Sequence, residues 1–515
     1  MIFDLFPSHD PDSLSRRIPR AELAQMVMLT LLAATIRWAG IHRSLWLDEL
    51  ATSWVVRDSL ADIFPRSILN NLSPLYYILV WVSDGIFGYN EVGLRFPSFA
   101  AGVLLVPGVY LVAYGLTGSR MAAFLAGWVA ALDPTAIYYS LEARPYALIQ
   151  LFALVHFVLF LDYIRQRSLK SALLVAMSAA VLFYLHYTSA ILIMVDGLLL
   201  IMSWVRGPAP TRKELRSLAV AGALFTIVVM PAIARIVYLL SNKGVLVVQS
   251  PPAFADTFSR FFMSSYVIGI TILCLFANFI LNRKPDPTHN SASLDPTSTV
   301  GLSLWAFLPP LIVYLLDRAG LVNITLDRYL IASSVAAILL VSLILRVVSS
   351  GRAGQVAAGL MALLMLLSPV SFVRNVNKEQ FGGRDRRSLV ARVNQVAPSD
   401  LPVYVVCGLV ESAFLARSDT PLLREYLMCN VNAAYRLKPD LLAHAQPVQS
   451  VESLASQAKG SFLYIGPYND LTELKRIAGG LDESDQRSGS VKVLFPDQTP
   501  SATTMASVAA LVEFE

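Results

Sequence analysis

The chain has 515 residues, 55% of them hydrophobic and only 15% charged, with a formal net charge of +5. Soluble domains carry about 25% charged residues, so this deficit excludes an ordinary soluble enzyme and indicates a membrane protein. No basic stripe interleaved with aromatics is present, which argues against nucleic-acid binding. Three cysteines without CxxC spacing exclude a conventional zinc or redox motif.

Residues 1–20 are polar and carry Arg16, Arg17 and Arg20 ahead of a first apolar run at 21–41. That run is too long for a signal peptide and lacks a small-residue cleavage site, so it reads as a first transmembrane helix with a cytoplasmic N-terminus. Runs long enough to span a bilayer follow at 95–116, 120–139, 143–164, 171–187, 188–205, 217–239, 261–281, 299–316, 328–348 and 354–373, eleven with the first. A shorter run at 73–88 contains Asp84. Reading it as interfacial or re-entrant puts the clusters at Arg120, Arg165/Arg167/Lys170, Arg206/Arg212/Lys213/Arg216, Arg283/Lys284 and Arg346/Arg352 in the cytoplasm; reading it as a span flips every one of them outward. The positive-inside rule favours the first choice.

The same choice collects Asp48-Glu49, Glu142 to Arg144, His186-Tyr187, the 240–260 loop, Asp317-Arg318 and Asp327 to Tyr329 on the outer face. Polar groups gathered at one membrane surface are what a site there requires. Residues 282–298 form a Pro/Ser/Asn-rich cytoplasmic linker. After Val373 the charge becomes ordinary. Strand-like runs at Pro402–Cys407, Ser461–Ile465 and Val491–Phe495, with helix-like stretches at 412–428 and 470–479, predict a small α/β domain. The expected fold is thus mainly α: a cytoplasmic N-terminus at 1–20, a polytopic helix bundle at 21–374 with its first outer loop at 42–94, and an extracytoplasmic α/β domain at 375–515. Cys407 and Cys429 can pair if that domain lies in an oxidising compartment, and Cys274 reads as a small core residue.

The chemistry-bearing residues cluster in short motifs. Asp48 and Glu49 leave the first span between Trp46 and Trp54, whose indoles favour the membrane interface. Asp48 either caps the following helix or serves as a base, with Glu49 orienting it or binding a metal. Outside the cytoplasm there is no nucleotide donor, so group transfer there needs a lipid-linked phosphosugar. Inverting transfer then requires a base for the acceptor proton while a phosphate leaves. In Ser140-Leu-Glu142-Ala-Arg144-Pro145-Tyr146, Arg144 presents a cation where a phosphate can sit, or is a snorkelling anchor. His186 in Leu185-His186-Tyr187-Thr188 is a ligand candidate or a satisfied interface residue. Arg328, beside Tyr329 in Asp327-Arg328-Tyr329-Leu330, is a second phosphate candidate or a topological anchor, and Lys243 is a weaker third. The polar turn Asn70-Asn71-Leu72-Ser73-Pro74-Leu75-Tyr76-Tyr77 suits a loop turning back into the bilayer.

LDELATSW after the first span, SPLYY, GLRFPSFAAG, SLEARPYAL, LHYTS and DRYL, in that order, resemble the integral-membrane GT-C glycosyltransferases. The branch is the protein O-mannosyltransferase and aminoarabinose-transferase-like one, and the resemblance covers about residues 20–350. It implies a bundle of about 11–13 helices in a bacterial plasma membrane, a polyprenyl-phosphate sugar donor, a glycan, lipid or protein acceptor and an inverting, extracytoplasmic transfer. Asp48 would match the first-loop catalytic acid, with Glu49 beside it. Glu142, Arg144, Tyr146, His186, Tyr187, Lys243, Arg328 and Tyr329 would line the donor site. In some members a divalent metal ion is held with the help of a His, here His186, and Glu49 is a second ligand candidate. Leu72-Ser73 stand where relatives often carry a His or Glu before the proline, so one expected ligand is missing, and Arg144 replaces an Asp found in some relatives. A transporter or lipid flippase is the rival reading; it predicts internal symmetry and ionisable groups at mid-bilayer. A membrane scaffold leaves Asp48 and Arg144 unexplained.

Overall fold

Helix ends in this chain follow its capping residues. The computed structural model describes residues 20–70, 72–241, 296–320, 327–348, scattered positions between 356 and 366, and 385–407, 415, 420–454, 460–479, 489–496 and 506–514. Lys243, Asn71, Cys274, the expected span at 261–281 and most of the expected 240–260 loop, 282–298 linker and 354–373 span lie outside the described residues. The chain divides into two units. One comprises Met1–Ala39, Pro97–Ser241 and Val248–Ser371; the other comprises Gly40–Phe96, Asn242–Val247 and Phe372–Glu515. The 40–96 segment and the C-terminal domain therefore share a unit.

In the first unit α1 (Arg20–Trp38) leads to α5 (Glu91–Thr117, of which Glu91–Phe96 belong to the second unit), α6 (Arg120–Leu132), α7 (Pro134–Ser140), α8 (Tyr146–Gln166), α9 (Leu169–Leu185), α10 (Ala190–Arg206), α11 (Arg212–Ser241), α12 (Pro296–Arg318) and α13 (Ile331–Val348). The helices α2 to α4 belong to the other unit and are given below. Among the described residues six helices are long and apolar enough to cross a membrane, and α6 with α7 forms a seventh segment bent by 54°. The bend falls where sequence alone predicts one span at 120–139. Pro134 has no N–H to offer the turn before it, and Asp133 starts a new helix by accepting the Ala136 N–H at 2.9 Å. The expected span at 171–187 is the 17-residue α9, opened by a reciprocal Ser168–Ser171 cap. The spanning segment ending in α13 is 78% buried against 22% for that of α11, so α13 lies inside the bundle and α11 at its rim.

Three helices of this unit are tied at mid-length by polar groups. His156 of α8 contacts Asp196 Oδ2 of α10 through Nε2 at 2.6 Å and Ser178 Oγ of α9 through Nδ1 at 2.7 Å. Without water, such groups find each other.

The second unit holds α2 (Leu47–Val56), α3 (Leu60–Leu69) and α4 (Pro74–Phe87). The indole N–H of Trp81 on α4 donates to the Asp58 carbonyl at 2.9 Å, and Asn70 donates to Tyr77 at 2.8 Å. Thus the short run at 73–88 packs against α2 and α3. Its opposite side stays apolar and exposed, as do Phe64 and Ile68 of α3. The C-terminal part contains α14 (Arg386–Val396), β1 (Val403–Val406), α15 (Pro421–Leu427), α16 (Pro439–Ala443), β2 (Ala445–Val448), β3 (Phe462–Pro467), α17 (Leu471–Ala478), β4 (Gly489–Phe495) and β5 (Ser507–Phe514). The sheet order is β2-β1-β3-β5-β4; β2, β1 and β3 run parallel, and β5 is antiparallel to both β3 and β4.

Three strands sit where alternation and β-branching predict them. The missed β2 contains Pro447, tolerated because β2 is an edge. The missed β5 is Ala-rich and buried over its first six residues, a run whose period cannot separate strand from helix. The helix predicted at 412–428 is described only from Pro421, where Thr420 accepts the Leu423 N–H at 3.3 Å. Cys407 and Cys429 are buried and form no disulfide, so the pairing open from sequence is not made.

Candidate functional site

The break between α6 and α7 leaves carbonyls at the end of α6 without helical donors, a costly state in an apolar bundle. Arg37, fully buried on α1, supplies them: Nη2 donates to Ala130 O at 3.1 Å, Nη1 to Ala131 O at 2.9 Å and Nε to Ser140 Oγ at 3.1 Å. Gly102 of α5 lies against this junction, where a Cβ would come within 2.0 Å of Ser140 Oγ. The loop that follows, Leu141 to Pro145, is fixed from another side by Ser98, whose hydroxyl donates to Arg144 O at 2.7 Å. Glu142, Arg144 and Tyr146 are all buried on or just after this loop.

Tyr146 faces an aromatic group assembled from four elements. Its ring lies 5.1 Å from Tyr139 and 6.3 Å from His186, and His186 lies 4.8 Å from Tyr329. His186 closes α9 with an extended backbone, and its Nδ1 meets Thr188 Oγ1 at 2.8 Å. Thr188 in turn donates to Tyr329 O at 2.9 Å, joining the α9–α10 corner to the turn before α13. The Arg328 guanidinium stands 5.6 Å from the Tyr329 ring centre. Burial first, then the charges of Arg144 and Arg328, push the His186 imidazole down to about 3. His186 is therefore neutral at physiological pH, and both guanidiniums bear on it. Six of the predicted residues, Glu142, Arg144, Tyr146, His186, Arg328 and Tyr329, thus lie on this loop and around this ring group. Tyr187 does not join them: its ring packs 5.8 Å from Phe183, against the cluster formed with Val229 and Ala232 of α11.

In the other unit Trp46 is the N-cap of α2, so Asp48 lies inside the first turn and is not the cap. It is half-buried, where the helix N-terminus favours a carboxylate. Glu49, expected beside it as a catalytic or metal-binding acid, is fully buried and committed elsewhere. Its Oε1 and Oε2 accept Arg95 Nε and Nη2 at 2.7 and 2.6 Å, and Oε2 also accepts the Trp46 N–H at 3.2 Å. Glu49 is an anchor. Arg95 goes on to donate to the carbonyls of Ile41, Arg43 and Ser44 at 2.9, 2.5 and 3.2 Å. Sequence reasoning missed Arg37, Arg95, Tyr139 and Thr188. A lone Arg inside an apolar run was a usable signal for the first two.

Of the two expected metal-ligand candidates, Glu49 is paired with Arg95, and His186 lies under the charges of Arg144 and Arg328.

A sequence model of the family described as "Dolichyl-phosphate-mannose-protein mannosyltransferase" matches residues 71–250. None of the curated proteins compared matches the chain by sequence. In fold, the chain is similar to ArnT from Cupriavidus metallidurans bound to undecaprenyl phosphate, with a TM-score of 0.50 at 13% identity, covering 96% of this chain and 98% of that one. Weaker likenesses are to the oligosaccharyltransferase AglB from Archaeoglobus fulgidus (TM-score 0.46, 11% identity, 89% of this chain and 71% of that one) and to the S. cerevisiae Pmt1-Pmt2 complex (0.35, 17%, 50% and 38%). The family match covers residues 71–250, about a third of the chain, and over nearly its whole length the chain is similar in fold to the undecaprenyl-phosphate-bound ArnT structure.

Proposed function

We propose that this protein transfers a sugar, with inversion, from a polyprenyl-phosphate donor to an acceptor hydroxyl on the extracytoplasmic side. Arg144 and Arg328 hold the donor phosphate, the rings of Tyr146, His186 and Tyr329 flank it, and Asp48 is the base. The acceptor oxygen attacks the anomeric carbon, its proton passes to Asp48, and the anomeric C–O bond breaks with its electron pair leaving on the polyprenyl phosphate. The observation that carries this reading is that two arginines from distant stretches of sequence both bear on His186 inside one aromatic group. A planar guanidinium suits a phosphate, and the leaving group needs positive charge as it departs. His186 held neutral supports a polar wall and not an acid.

The test is donor consumption by purified protein, offered polyprenyl-phosphate sugars one at a time. Arg144→Gln and Arg328→Gln should each raise the donor KM roughly 10- to 150-fold, the equivalent of about 1.5–3 kcal/mol for a charge-assisted contact. Asp48→Asn should abolish turnover while leaving donor binding intact. Unchanged consumption in a folded Asp48→Asn protein would remove Asp48 as the base, whereas no consumption of any donor by the folded wild type would leave the transporter reading. Sidedness is read by labelling single cysteines at position 60 and within 282–298; modification of both from the same face refutes the placement.

A further inference from the structure

The segment leading into α2 has no regular structure of its own from Ile41 to Trp46, yet its backbone is tied at every residue. Arg95 takes the carbonyls of Ile41, Arg43 and Ser44, and Glu49 takes the Trp46 N–H. The remaining ties come from the C-terminal α/β domain. Arg387 Nη2 donates to His42 O at 2.7 Å, the Arg387 N–H donates to Ser44 Oγ at 3.1 Å, and Tyr435 Oη accepts the Leu45 N–H at 2.8 Å. Glu91 locks these two side chains together: Tyr435 donates to its Oε1 at 2.6 Å and Arg387 pairs with the same oxygen at 2.5 Å.

The far end of α2 is held by the same stretch of chain. Ser53 Oγ accepts the Ala434 N–H at 3.2 Å, and Arg57 donates to Asn432 O and Glu425 Oε2, each at 3.1 Å. The Trp54 ring packs 5.3 Å from Tyr426. A helix of ten residues is about 15 Å long, and Glu425–Tyr435 reaches both its ends. Burial, then the bond to Glu91, push the Tyr435 hydroxyl up to about 12, so it remains a donor throughout the working pH range.

We propose that the C-terminal domain is a clamp on the base-bearing helix: Tyr435 and Arg387, joined through Glu91, are positioning residues that set where Asp48 stands. This rests on Asp48 being the base, the reading given above. A tether of this kind matters because misplacing a reacting group by about 1 Å can cost on the order of a hundredfold in rate. The clamp acts on the acceptor side of the reaction, so its loss should appear in kcat and not in the donor KM.

The experiment compares full-length wild-type, Tyr435→Phe, Arg387→Ala and Arg387→Lys proteins in detergent by hydrogen–deuterium exchange, with no ligand required. Tyr435→Phe removes both the acceptor for Leu45 and the donor to Glu91. It should speed exchange of peptides covering 41–50 at least tenfold while peptides from 146–166 keep the wild-type rate. Arg387→Lys should restore slow exchange relative to Arg387→Ala, because a lysine still pairs with Glu91. With whichever polyprenyl-phosphate sugar the wild type consumes, kcat should fall ten- to a hundredfold in Tyr435→Phe and the donor KM should stay within twofold. Wild-type exchange at 41–50, or a loss confined to KM, overturns the clamp. Asp48→Asn measured alongside separates the two ideas: full turnover there defeats the base assignment, whereas a dead Asp48→Asn beside a fully active Tyr435→Phe defeats the clamp alone.

Discussion

Assigning Glu49 as an anchor and Asp48 as the base makes the two adjacent acids behave in opposite ways when replaced. Arg95 and Glu49 are 2% and 0% exposed, joined by two short bonds, and Arg95 satisfies three further carbonyls. Arg95→Met strands a carboxylate in the interior, which costs about 3–5 kcal/mol when one partner of a buried pair is removed. At about 1 °C per kcal/mol for a chain of this length, the thermal midpoint of the detergent-solubilised protein should fall by roughly 3–5 °C. Glu49→Leu alone strands the guanidinium and should cost a similar amount. The double variant removes both charges, so its loss should be smaller than the sum of the two by about 1–3 kcal/mol, the coupling expected of residues in contact. Glu49→Gln keeps an oxygen for Arg95 and should retain turnover in proportion to the folded fraction, with an unchanged pH profile. A strictly additive cycle, or a stable Glu49→Gln protein without activity, would refute the anchor and return Glu49 to the chemistry.

His186 contributes to stability with a definite sign. Its imidazole titrates near 6.5 in the unfolded chain and about 3 in the folded one, so the unfolded state binds the extra proton between those values. Folding should therefore weaken as pH falls from about 6.5 toward 3, and His186→Gln should flatten that slope in acid-unfolding curves. Within the helix bundle, His156→Leu strands Asp196 and Ser178 and should sharply lower the yield of monodisperse protein on size exclusion. Asp196→Asn, which still accepts from His156, should lose much less. Gly102→Leu must push Ser140 and Arg37 apart and should lower the donor affinity through the 141–145 loop; Gly102→Ala should do so more weakly.

How much of this was legible beforehand divides along physical lines. The apolar runs announce the bundle because twenty residues of hydrocarbon have few other uses, and the motifs at 140–146, 185–188 and 327–330 carry the residues that gather around His186. Periodicity could not show that α6 and α7 bend, since Pro134 reads as well inside a kinked span as at a corner. Nor could it separate roles within Asp48-Glu49. That distinction depends on Arg95, forty-six residues away along the chain, and on which of two neighbouring carboxylates the helix turns inward. The clamp was invisible for a similar reason. Tyr435 lies in a polar stretch with no motif, and its importance comes from a backbone amide at Leu45 that it meets only in the folded chain.

Arg37 and Arg95 express one principle at two places. Where backbone leaves regular structure without water nearby, its carbonyls must find donors, and a guanidinium offers five in a rigid fork. Arg37 spends them on the broken end of α6, and Arg95 on the connector into α2. Each segment treated in this way leads directly to the residues with chemical potential, Glu142 to Tyr146 in one case and Asp48 in the other. A bilayer enzyme needs irregular backbone at its site, because helices alone cannot turn side chains toward a headgroup. Buried arginines are the means by which such backbone is tolerated. A buried arginine donating to consecutive carbonyls therefore points to the adjoining loop as the place to look for function, whereas one paired only with a carboxylate does not.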